Sequence, residues 1–338
     1  MTKLSENSFN INLRQDERKL TIWRYAGLML TYKCPAACEF CYYNCSPDKE
    51  GLMPIETALN AWQSLIDLAG PSAEIHITGG EPFLYFDHLV KLLAEAQRRK
   101  LIGLDAIETN AYWAKDRDTV LKKMKILKTL GIRRLKISWD PFHAEYIDEE
   151  NVTLLAGTAK EVIGLENVLV RWDKYLGCGI DMKTLDLTQR CEMYKQATVD
   201  CPVRFTGRAA NKLANFFQGG SVEEVTKKDC SKSFLSPKGV HIDPYGNVFS
   251  GLCSGITIGN VNQASLKDIW KSFDPANMPV VSSLVKGSPS ALLDEAVALG
   301  FQVRPRYADK CHLCSDLRQF FFDKGQYYPI ISPAECYS

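Results

Sequence analysis

The stretch Leu28-Met29-Leu30-Thr31-Tyr32-Lys33-Cys34-Pro35-Ala36-Ala37-Cys38-Glu39-Phe40-Cys41 passes from a short apolar strand straight into a loop carrying three cysteines. The same alternation, a β-branched run and then a segment of helical period, repeats as far as Thr206. Strands are expected at 28–31, 74–78, 104–109, 135–138, 167–171 and 203–206, and helices at 55–69, 87–100, 119–130, 149–163 and 189–197. Repeated βα units imply a parallel sheet, so the expected class is α/β, a partial (β/α)6 TIM-like barrel. The three thiols then converge at the C-terminal end of the sheet, where barrel active sites lie.

The pattern changes after Gln218-Gly219-Gly220. A hairpin is expected from 240–242 and 248–250 around the turn chemistry of Asp243-Pro244-Tyr245-Gly246-Asn247, with helices at 265–273 and 291–299. Working outward, the chain divides into an N-terminal extension (1–22), a core (23–217) and a small C-terminal α+β domain (218–338). That last part carries Cys230, Cys253, Cys311, Cys314 and Cys336.

With 338 residues, 46% of them apolar, the chain can bury one large core and carry an appendage. Lys and Arg total 41 against 40 Asp and Glu, without the positive excess that neutralises phosphates, so no nucleic-acid partner is expected. The Lys-rich run 121–136 places Leu121, Met124, Leu127 and Leu130 at helical spacing and reads as a solvated helix surface. Residues 1–16 are polar, and no apolar run reaches the roughly 18 residues of a membrane span. A cytoplasmic protein with no membrane partner is expected, and in that reducing compartment clustered cysteines serve metals more often than disulfides.

Three thiolates suit a [4Fe-4S] cluster whose fourth iron stays open to an external chelate. A structural zinc site would recruit a fourth ligand, and Cys45 stands four residues beyond Cys41. On residue types alone both remain open.

Cys34, Cys38 and Cys41, with the aromatic Phe40 before the last, reproduce the C-x3-C-x2-C signature, and residues 27–208 resemble the radical S-adenosylmethionine (SAM) superfamily. The resemblance implies that these cysteines hold the cluster, that the open iron chelates SAM, and that Phe40 lies against its adenine. Thr78-Gly79-Gly80-Glu81-Pro82 is similar to the family's GGE element, which assigns Gly79, Gly80 and Glu81 to the methionine amino group of SAM. Asn110 and Ser138 fall where the family contacts the ribose and methionine parts of SAM, and Arg171 where it pairs with the carboxylate. Asp140, His143 and Glu145 are candidate acids or bases beside the substrate cavity, or a capped loop. Arg208 is suited to gripping a substrate anion, or is structural.

Cys311-His312-Leu313-Cys314 has metal-knuckle spacing, and with Cys230 and Cys253 it completes four thiolates, which by count fit zinc or iron. This segment is similar to SPASM/Twitch extensions. The resemblance implies one auxiliary [4Fe-4S] cluster of the Twitch form, with Cys336 as a substitute for Cys253. Cys45, Cys178, Cys191 and Cys201 are expected as buried apolar thiols, or, for Cys178 and Cys201, as hydrogen-atom donors. The expected activity is reductive cleavage of SAM followed by oxidation of a substrate, a small molecule or a peptide, with an electron donor such as flavodoxin or ferredoxin. Peptide maturation and epimerisation are alternatives, and a non-catalytic zinc-binding scaffold is the rival of another class.

Overall fold

The computed structural model describes residues 2–200 and 203–338. Strand β1, Tyr25–Met29, leads through the cysteine loop to helix α1, Ile55–Ala69, and then to β2, Glu74–Thr78, and α2, Phe86–Arg98. The alternation continues with β3 (Leu104–Thr109), α3 (Arg117–Thr129), β4 (Arg134–Ser138), the one-turn α4 (Pro141–Ala144), α5 (Glu149–Ile163), β5 (Val168–Arg171) and α6 (Leu187–Asp200). The ends follow side-chain chemistry. Asp116 caps α3 by accepting from the Thr119 N–H at 2.8 Å, and α1 stops at Gly70, where φ is 64°.

Three further strands, β6 (Val240–Ile242), β7 (Asn247–Ser250) and β8 (Thr257–Asn260), complete one open sheet in the order β5-β4-β3-β2-β1-β6-β7-β8. The first five strands and β6 run parallel, and β6, β7 and β8 form the antiparallel end. The expected hairpin is present, but its first strand pairs with β1, so the sheet is continuous across the change of pattern near residue 220. The strand expected at 203–206 does not form. The Thr206 N–H turns back to the Arg204 carbonyl at 2.9 Å and the Phe205 carbonyl accepts from the Ser315 hydroxyl at 3.3 Å, while just beyond the segment the Arg208 N–H bonds to the Cys41 carbonyl at 3.1 Å, so these groups are not paired with β5. The helix expected over 291–299 is a 3-10 turn, Pro289–Leu292, followed by a helix at Leu293–Ala298.

The two faces of the sheet differ. Leu28, Ile75, Ile77, Ile107, Leu135 and Ile137 are fully buried on the helix-covered face, each contributing about 1.5–3 kcal/mol of apolar burial. The other face is polar. Register sets Gly27 between His76 of β2 and His241 of β6, and Glu108 of β3 opposite Lys136 of β4. The space above Gly27 is filled by the two imidazoles, whose centroids are 5.3 Å apart. A Cβ on Gly27 would meet their ring atoms at 2.3 and 2.4 Å.

The N-terminal segment is tied to the C-terminal part. Asn7 donates to the carbonyls of Trp270 and Phe273 at 2.6 and 3.0 Å, and the Trp270 indole donates to the Thr21 carbonyl at 3.0 Å. Among the described residues no helix is long and apolar enough to cross a membrane.

Gly27→Ala should destabilise the protein by about 1–3 kcal/mol in urea unfolding, because the added methyl overpacks the two rings. The loss should shrink when His76→Ala is added. Equal losses in both backgrounds would show that the rings are not what the methyl meets.

Candidate functional site

The cysteine loop is held from both sides. On one side the β2 loop continues the β1–β2 ladder beyond the strands, the Gly80 N–H donating to the Thr31 carbonyl at 2.7 Å and the Glu81 N–H to the Lys33 carbonyl at 3.0 Å. The approach requires glycine: a Cβ would stand 2.6 Å from the Thr31 oxygen at Gly79, where φ is +116°, and 2.1 Å from the Lys33 oxygen at Gly80. On the other side Arg208 donates to the carbonyls of Cys38, Asn44 and Cys45 at 2.9, 3.2 and 2.8 Å. Its guanidinium is therefore engaged with the loop, the geometry of the structural one of its two readings.

Cys34, Cys38 and Cys41 line one pocket, together with Phe40, Gly79, Gly80, Asn110, Ser138, His143 and Arg171. Asn110 donates its side-chain N–H to the Cys34 sulfur at 3.5 Å. Phe40 stacks on Phe142 with centroids 5.2 Å apart. Glu81 is absent from this wall. Its buried carboxylate accepts from the Phe83 and Asn110 N–H groups at 3.0 and 2.7 Å and from the Thr109 hydroxyl at 3.0 Å, so it organises the neighbouring loop. Burial pushes the Glu81 carboxyl up to about 7, against the pull of those hydrogen bonds.

Asp140 caps α4 through the His143 N–H at 2.9 Å and also holds His143 Nδ1 at 2.8 Å. With Nδ1 engaged, Nε2 is the nitrogen that His143 can offer to the pocket. Glu145 is elsewhere: it pairs with Arg190 at 2.6 Å and accepts from the Tyr194 hydroxyl at 2.7 Å, and it does not line the pocket.

A second cavity, of about 1060 Å³, lies over the polar face of the sheet. Cys230, Cys253, Cys311 and Cys314 all open into it, as do His76, Lys136 and His241. Cys311 and Cys314 lie in the first turn of the helix Lys310–Asp323, three residues apart and so on one side of it. Cys336 is not in this wall; its sulfur is 3.7 Å from the Tyr32 hydroxyl. Cys45 lines the first pocket, its N–H donating to the Cys41 sulfur at 3.3 Å. Cys178 is exposed, Cys191 half-buried, and Cys201 lies outside the described residues.

Glu108 lines both cavities. Burial works to raise its carboxyl, but His76, Lys136 and the Thr78 hydroxyl outweigh it and hold it down to about 2. Burial also pulls His76 down to about 3, leaving that ring neutral. Near neutral pH, then, Lys136 at 3.6 Å is the charge that faces the Glu108 carboxylate. Glu108 belongs to the polar strand end Glu108-Thr109-Asn110, whereas the two histidines lie within strands and carry no motif. The available signal was the alternation Glu74-Ile75-His76-Ile77-Thr78, which puts a polar side chain at every second position of what should be a core strand.

Among the described residues no three Cys, His, Asp or Glu side chains meet at a single ion-sized point. A cubic four-iron cluster holds its cysteine sulfurs apart around its corners, so a shared wall is the arrangement it needs. Both cysteine sets meet that condition. The second set adds two buried polar atoms without a protein partner on residues of the same wall, Thr206 Oγ1 and Arg318 Nε.

Residues 28–161, which contain the three cysteines, the glycine turn, Asn110, Ser138 and the Asp140–His143 pair, match the family model of the radical SAM superfamily. Over this segment the chain is similar to members of that superfamily. Among solved structures it is similar to BtrN in complex with AdoMet and 2-DOIA, at 17% identity and a TM-score of 0.47 over 79% of this chain and 87% of that one. It is also similar to anSMEcpe with bound AdoMet and Cp18Cys peptide, at 13% identity and a TM-score of 0.45 over 89% of this chain and 97% of that one. No curated protein matches it in sequence.

Arg208→Met should cost about 2–4 kcal/mol in urea unfolding, since it strips charge-assisted donors from buried carbonyls. It should also reduce the iron retained after reconstitution. Unchanged stability and iron content would show that the clamp is dispensable.

Proposed function

We propose that this chain is a radical SAM oxidoreductase with two [4Fe-4S] clusters, one on Cys34, Cys38 and Cys41 and one on Cys230, Cys253, Cys311 and Cys314. Its substrate, by this reading a small molecule, would sit in the larger cavity, beside Glu108. The observation that carries the reading is Glu108, which belongs to the walls of both cavities, so that the two cysteine sets open onto adjoining spaces. When bound, the first cluster would supply the electron that splits SAM into methionine and a 5′-deoxyadenosyl radical, and the second would take up an electron.

The chain's own residues have distinct tasks in this scheme. Gly79 and Gly80 leave the backbone open to the methionine amino group, Asn110, Ser138 and Arg171 contact the rest of SAM, and Phe40 flanks the adenine. His143, oriented by Asp140, takes the proton that the substrate loses after its hydrogen atom has gone to 5′-deoxyadenosine. The substrate thus gives up two hydrogens in all: one as an atom, one as a proton with its electron. Exposed Lys227, Lys228, Lys232 and Lys238 lie in the wall of the larger cavity and favour an anionic substrate. A cytoplasmic setting and a flavodoxin or ferredoxin as electron donor complete the proposal.

Anaerobically reconstituted protein should be brown and contain iron and sulfide; colourless protein containing zinc would favour the scaffold reading. Cys34→Ala, Cys38→Ala or Cys41→Ala should each abolish 5′-deoxyadenosine formation from SAM, because a cluster with three protein ligands loses one. Wild-type rates in these variants would end the proposal. Cys311→Ala/Cys314→Ala should still cleave SAM while yielding little oxidised product. A product with unchanged mass would instead indicate epimerisation.

A further inference from the structure

Arg318 stands one turn beyond Cys314 on the helix Lys310–Asp323, so Cys311, Cys314 and Arg318 share one helix side. The residue is 4% exposed. Its Nη1 donates to the Ser254 carbonyl at 2.6 Å and lies 3.5 Å from the Tyr337 hydroxyl, and its Nη2 donates to the Ser315 hydroxyl at 3.3 Å. Nε is buried and has no protein partner.

None of the partners of these hydrogen bonds is a carboxylate. The groups that act most on the guanidinium charge are Tyr337, Cys314 and Cys253, none of them a carboxylate. A buried cation without a counter-charge is costly, by several kcal/mol after relaxation. With Cys253 and Cys314 as thiols the cost stands; with both as thiolates on iron it is offset. The same residue lines the larger cavity beside all four cysteines.

We infer that Arg318 is the built-in counter-charge of the cluster held by Cys230, Cys253, Cys311 and Cys314, and that it raises that cluster's reduction potential. This rests on the two-cluster reading above. Reduction adds one negative charge to the cluster, and a fixed buried cation favours the more negative state. Arg318 acts through the cluster and needs no contact with substrate. Its effect makes the cluster a better acceptor for the electron leaving the substrate.

The test uses the full chain with Cys34, Cys38 and Cys41 all changed to Ala, so that only the second cluster remains to be read by an EPR-monitored potentiometric titration. In this background Arg318→Gln should keep about four irons and move the midpoint potential to a more negative value. Arg318→Lys, which keeps the charge, should restore most of the shift. If Arg318→Gln fails to hold iron while Arg318→Lys holds it at the parent potential, the requirement for charge is again met. An unchanged midpoint in Arg318→Gln, or loss of iron in both variants, overturns the role. Absence of iron from the parent itself would remove the second cluster, a failure of the two-cluster reading that is distinct from a failure of Arg318.

Discussion

The site depends on the docking of two backbones, the β2 loop at Gly79-Gly80-Glu81 against the β1 loop at Thr31–Lys33. Two main-chain hydrogen bonds carry the β1–β2 ladder past the strand ends and into the loops, so the position of Cys34 is inherited from the sheet. No side chain fits at the crossing: a Cβ on Gly80 would lie within 2.1 Å of the Lys33 oxygen. Once the loops are docked, the Glu81 carboxylate holds the next strand end through Thr109 and Asn110, and Asn110 in turn reaches the Cys34 sulfur. One constraint thus brings the ends of three successive strands to the same pocket.

The polar face of the sheet follows a different logic. Parallel strands in α/β proteins are usually apolar on both faces, whereas here one face carries His76, Glu108, Lys136 and His241 over a cavity. Room for the two imidazoles is made at Gly27, between them in register. Burial keeps His76 neutral, and the Glu108 carboxylate retains its charge beside Lys136. Such a layer adds little to stability, since buried ion pairs are close to break-even against apolar packing. Its value lies in keeping a polar, shaped space open next to the cysteines.

Two arginines, Arg208 half-buried and Arg318 buried, do related work at the two cysteine sets. Arg208 straps the first loop through its carbonyls, and Arg318 places its guanidinium in the wall that holds the second set. In both cases the planar guanidinium, with donors at fixed angles, can hold backbone oxygens and still present its charge to neighbouring sulfur.

Much was legible in the sequence, because some signals are local. The five βα units, the hairpin at Asp243–Asn247, the Cys34/Cys38/Cys41 spacing and the Gly-Gly turn depend on periodicity and on residue types a few positions apart. The β-like pattern at 203–206 is overridden by contacts distant in sequence, the Phe205 carbonyl with Ser315 and the adjoining Arg208 with the Cys41 loop. Separation along the chain, 163–170 residues for Arg208 and 28–29 for the Thr109 and Asn110 bonds, also hid the tasks of Arg208 and Glu81, which only their partners define. It also hid the joining of β6 to β1, the choice of Cys253 over Cys336 in the larger cavity's wall, and Glu108 as the residue common to both cavities. Local pattern determined which elements form and which residue types their ends carry. The tertiary structure decided which of those ends meet, because strand pairing and burial bring together groups whose separation along the chain says nothing about their separation in space.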